Sequence, residues 1–115
     1  MTKALLLFIA VLITGSANAE WIDPTDLKVG QTYVLSRQTP LVPAPGLGQH
    51  QYRSAGHVER AVQLPPGARI LVNRSLRVNN ASWYDATARS PTGSLLGQGF
   101  IAQGALMGQQ LTRSR

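Results

Sequence analysis

The sequence predicts an all-β domain, a small barrel of five to six short strands, and three observations predict it. Short runs of alternating β-branched and aromatic residues recur at close spacing, each ended by Gly, Pro or Asn. After the apolar N-terminal run, no segment supports a helix of more than about three turns. The chain contains no cysteine, so a domain this small is held by packing and backbone pairing, which favours a regular, closed fold.

The 115 residues divide into four parts. Residues 1–19 have the layout of a cleavable signal peptide: one lysine at Lys3, an unbroken apolar run from Ala4 to Thr14, then Gly15 and small residues ending in Ala17-Asn18-Ala19. The run is shorter than the ~20 apolar residues that span a bilayer. No membrane anchor is expected, and with no cysteine at the cleavage point no lipid anchor either. The expected location is the bacterial periplasm or the outside of the cell. Residues 20–30 form a lead-in, 31–111 the barrel and 112–115 a basic tail expected to fray.

After Ala19, ten Lys and Arg face five Asp and Glu, and Lys28 is the only lysine among them. Guanidinium groups suit carboxylates and phosphates, so acidic partners are one reading and plain solubility the other. Export and the lack of a clustered basic run argue against nucleic acid.

The elements follow in order. In the lead-in, Asp23-Pro24-Thr25-Asp26 carries turn chemistry, and Asp23 is placed to cap one helical turn. Trp21 and Ile22 either cover an open end of the core, the preferred reading, or mark a contact with a partner. Gln31 to Arg37 alternates as a strand with Tyr33 and Leu35 on one face. Thr39 to Gly56 is broken by prolines and glycines and reads as a long loop with an extended piece from Pro40 to Pro43. His57 to Leu64 is a strand or a helical turn or two, with strand preferred. Pro65-Pro66-Gly67 is a turn. Ala68 to Val78 is the strongest strand, with Ile70, Val72, Arg74, Leu76 and Val78 on alternating positions. Asn79-Asn80-Ala81 turns the chain into a hairpin from Ser82 to Ile101, which opens on Trp83-Tyr84 and closes on Gly99-Phe100-Ile101. Ala105 to Leu111 is expected to return as a last brief strand.

These pieces resemble the bacterial SH3-like domain family. Val62 to Val72 resembles its turn-and-strand unit, Ser82-Trp83-Tyr84-Asp85-Ala86 its strand opening on Trp-Tyr, and Gly97-Gln98-Gly99-Phe100-Ile101 with Ala105-Leu106 its closing segment. The likeness covers about Gln31 to Leu111. It departs in the first long loop, where Leu41 to Gly46 lacks the family's arginine, and at Phe100, where the family commonly has Trp. The resemblance implies an SH3-like barrel acting as a non-enzymatic binding module for peptidoglycan or for an envelope protein, with no cofactor. The alternative is a small accessory subunit or inhibitor that docks on a larger envelope protein.

Alternation puts Trp83 and Asp85 on one face of their strand and Tyr84, Ala86 and Ala88 on the other, which is the better core face. The expected ligand surface is therefore Trp83, Asp85 and Phe100 with Tyr52 and Arg53 of the long loop; the alternative is that Trp83 only covers the barrel's end. No catalytic residue is assigned, since Ser, His and Asp occur without a nucleophile elbow. No metal site is assigned either: His50 and His57 stand apart across the loop, without cysteine.

Overall fold

The computed structural model describes residues 21–46 and 56–114. The expected signal peptide, Tyr52, Arg53 and His50 lie outside them. The described chain is all-β with one short helix. Its strands are β1 (Thr32–Val34), β2 (Thr39–Leu41), β3 (Val62–Leu64), β4 (Arg69–Val78), β5 (Ala81–Arg89), β6 (Leu95–Ala102) and β7 (Thr112–Arg113), and its helix is α1 (Gln103–Leu106).

Two antiparallel sheets result, not one closed barrel. The larger has the order β6-β5-β4-β1-β7, and β2 pairs with β3 alone. The two sheets touch where Val42 and Phe100 exchange both backbone bonds at 2.8 Å. This contact is a single rung, an isolated bridge. A second touch lies nearby, where the Val58 N–H donates to the Gln98 carbonyl at 2.7 Å. Bends at residues 59–60 separate it from β3, so the expected strand from His57 to Leu64 survives only as Val62–Leu64.

The lead-in is tied down by the core. Pro24–Asp26 is a single 3-10 turn. The Asp23 carboxylate accepts from the Thr25 hydroxyl at 2.7 Å and its N–H at 2.9 Å. These two bonds hold the Asp23 pKa below the usual carboxylate value, the hydroxyl bond contributing most. Two buried tyrosines anchor the following residues. Tyr33 Oη accepts from the Lys28 N–H at 2.9 Å, and Tyr84 Oη accepts from the Leu27 N–H at 3.2 Å while donating to the Pro24 carbonyl at 2.8 Å. Ile22 and Leu27 join the core, whereas Trp21, expected to pack with it, is 70 % exposed.

The β4–β5–β6 meander carries most of the fold. Its first turn has two residues, Asn79 and Asn80, with φ of 51° and 65°. Paired positive φ values define the hairpin turn whose twist matches the strands, and Asn tolerates them better than most residues. Replacing both by alanine is expected to cost about 2 kcal/mol in a urea unfolding curve, and Asn80→Gly to add a few tenths.

The alternation of β4 breaks at Asn73. Val72 pairs with Ala86 and Arg74 with Asp85, so Asn73 is an extra, bulged residue. One inserted residue reverses every side chain beyond it. Ile70 and Val72 stay in the core with no exposure, but Arg74 and Leu76, expected on the same face, turn to the opposite one beside Asp85 and Trp83.

The C-terminal segment also departs from expectation. Residues 105–111 form no strand. Leu106 and Leu111 are buried, Gly108 takes φ of 80°, and the Gln109 side-chain amide donates to the Ala105 carbonyl at 3.1 Å, pinning the turn that follows α1. The tail that was expected to fray continues the sheet, with Tyr33 opposite Arg113 and Val34 opposite Thr112.

Candidate functional site

The Trp-Tyr strand does abut the Gly-Phe-Ile strand. Trp83 pairs with Ala102, Tyr84 with Ile101 and Asp85 with Phe100. Tyr84, Ala86 and Ala88 face the core as alternation predicts, and Trp83 and Asp85 share the other face. That second face is not an open surface. Asp85 is only 4 % exposed and Phe100 is fully buried. Of the five expected ligand residues, the structure brings Asp85 and Phe100 together as cross-strand partners inside the molecule and sets Trp83 two residues away, half-buried. Tyr52 and Arg53 lie outside the described residues.

Asp85 is covered by His57. The imidazole lies flat on the Phe100 ring, with centroids 4.8 Å apart and an interplanar angle of 14°. Its Nε2 is 3.2 Å from Asp85 Oδ1. Arg74 Nε donates to Asp85 Oδ2 at 3.1 Å, and Gln98 Nε2 lies 3.4 Å from Oδ1. A carboxylate accepts only, so His57 Nε2 carries the hydrogen it shares with Asp85. One carboxylate thus ties β4, β5, β6 and the segment before β3. Arg74 reaches it only because the bulge at Asn73 turns its side chain out of the core face.

This cluster suits fastening better than chemistry. The His57 side chain is 1 % exposed and that of Asp85 6 %, so a substrate in solution reaches neither. Arg74 is half-exposed and brings a charge that is partly screened. Among the described residues no buried side-chain nitrogen or oxygen lacks a partner. The sequence gives no local sign of this cluster: His57 lies 28 residues before Asp85, in a stretch read as strand or helical turn.

An accessible concavity among the described residues is a groove beside Trp83. It holds about 360 Å³ and is lined by residues 25–27 of the lead-in, 75–77 of β4, 82–84 of β5 and Gln103 of α1. The lining mixes an indole with the hydroxyls of Thr25, Ser75 and Ser82 and with two opposite charges, Asp26 and Arg77. Arg77 Nη1 donates to Ser82 Oγ at 3.1 Å, and Asp26 pairs with exposed Lys28 at 3.0 Å. Such a lining suits a ligand with an apolar face and several polar groups. The lead-in forms one wall because Tyr33 and Tyr84 pull residues 24–28 onto the sheet. Compared with known proteins, the chain matches no family model, and no curated protein or solved structure is significantly similar to it.

Proposed function

We propose that this chain is an exported, non-enzymatic binding module, an SH3-like domain that holds peptidoglycan or an envelope protein in the groove at Trp83. The observation that carries this reading is the groove itself, a 360 Å³ concavity lined by the Trp-Tyr start of β5. The meander of β4, β5 and β6 and the short helix after it support the resemblance seen in residues 62–106. Residues 1–19 are the export signal in this reading, and the working protein starts at Glu20 in the periplasm or outside the cell.

The test is co-sedimentation with purified peptidoglycan sacculi at low and raised salt. The expected result is binding that persists in salt and weakens about tenfold in Trp83→Ala, the loss of one stacked aromatic. Unchanged binding by a folded Trp83→Ala removes Trp83 from the site. A second reading, a small accessory subunit or inhibitor docked on a larger envelope protein, is favoured by Trp21, a large apolar side chain left 70 % exposed next to buried Ile22. It predicts no sedimentation with sacculi, and co-purification of one envelope protein that Trp21→Ser abolishes.

A further inference from the structure

A second concavity, of about 270 Å³, lies at the other end of the β4–β5 ladder from Trp83. Its lining is Thr32, Arg69, Leu71, Thr87, Arg89 and Ser114. Arg69 of β4 and Arg89 of β5 are direct cross-strand partners, and both are exposed. Like charges placed opposite each other across a ladder repel and destabilise it. Among the described residues no acidic side chain lines the concavity. Among the described residues the carboxylates of ion pairs are Asp26 and Asp85 alone, and their partners are Lys28, His57 and Arg74.

Apart from Leu71, the lining side chains can all donate hydrogen bonds. Arg89 Nη1 donates to the Gly93 carbonyl of its own hairpin turn at 3.1 Å, which restrains that guanidinium beside Arg69. Thr87 Oγ1 accepts from Asn73 Nδ2 at 3.0 Å, so its hydroxyl hydrogen is left to donate. Thr32 and Ser114 add two more hydroxyls.

We propose that this concavity is a binding site for a phosphate-type oxyanion, held between the Arg69 and Arg89 guanidinium groups. The charge matches: a phosphate monoester carries roughly −1.5 to −2, against two guanidinium charges. The donors match too, because two guanidinium forks and three hydroxyls exceed what one carboxylate accepts. An anion at this point removes the repulsion that the cross-strand pair otherwise carries. Free phosphate, with nearly two charges, and a phospholipid phosphodiester, with one, offer the same kind of oxyanion acceptor.

The experiment is an NMR titration of the full mature chain with inorganic phosphate, beside flotation with phosphatidylglycerol or phosphatidylcholine vesicles. Phosphate is expected to shift the Leu71, Thr87 and Ser114 amides saturably. Arg69→Gln and Arg89→Gln should each weaken binding about tenfold, the loss of charge-assisted bonds, and exposed Arg60→Gln should not. In phosphate-free buffer both variants should melt at or above the wild-type temperature, since they relieve a repulsion, and phosphate should raise their melting temperature less. Flotation with phosphatidylglycerol alone, lost in both variants, identifies a lipid headgroup as the source; no flotation with a saturable phosphate response identifies a soluble or polymer-borne phosphate. An equal response in wild type and Arg69→Gln, or equal weakening by Arg60→Gln, overturns the proposal.

Discussion

Asp85→Leu is expected to lower the unfolding free energy by about 3 kcal/mol, the largest loss among the side chains of the buried cluster. Leucine is close in volume but accepts nothing. The buried His57 N–H and the Gln98 amide then lose their acceptor, and each stranded polar group carries its desolvation cost. Arg74 contributes less, because it is half-exposed and turns to water. In a domain of this size the loss corresponds to a fall in Tm of about 12–24 °C. Asp85→Asn keeps the shape and one acceptor oxygen and should cost about half as much. His57→Phe preserves the stack on Phe100 and removes one donor of several, and should cost least. Urea unfolding of the three variants checks the order. A neutral Asp85→Leu would mean that the cluster fastens nothing.

Gly99→Ala should be comparably damaging for a different reason. A Cβ at Gly99 would lie 2.7 Å from the Val42 carbonyl oxygen and 3.0 Å from Leu41 Cγ. The first of these is backbone and cannot swing aside. β6 and the β2 segment must separate, which sacrifices the paired bonds between Val42 and Phe100. Overpacking and two lost hydrogen bonds together amount to about 3 kcal/mol. Gly104→Ala serves as the control. Gly104 sits in α1 with nothing within 4 Å of the new methyl, so the substitution should leave stability unchanged or raise it slightly. Hydrogen exchange at the Val42 and Phe100 amides separates local opening from global loss. If Gly99→Ala is as stable as wild type with these amides still protected, the two sheets are not joined at this point.

Much of the local structure is legible in the residues. Asp23 before Pro24 marks a capped turn, Asn79-Asn80-Ala81 marks a turn that the structure narrows to Asn79 and Asn80, and the run from Ala68 to Val78 marks a strand that spans Arg69–Val78. These signals are local, since turn chemistry and alternation act over a few residues. The site was less legible. Trp83 reads as a candidate ligand residue from its type and position, but the groove beside it needs a wall from residues 25–27, fixed by tyrosine hydroxyls, that of Tyr84 nearly sixty residues along the chain from its partners. Phe100 reads as an exposed aromatic closing a strand, yet it is fully buried because His57 stacks on it.

Local signals along the chain suffice for an all-β class, for the hairpin that joins the Trp-Tyr and Gly-Phe-Ile strands, and for placing Tyr84, Ala86 and Ala88 in the core. Contacts between distant segments fix the rest: the sheets stay two, the bulge at Asn73 swings Arg74 to Asp85, and His57 seals the face opposite the core. The physical reason is one of range. A turn or an alternating strand is specified by neighbours in the chain, whereas the burial of a carboxylate depends on which distant segment settles over it.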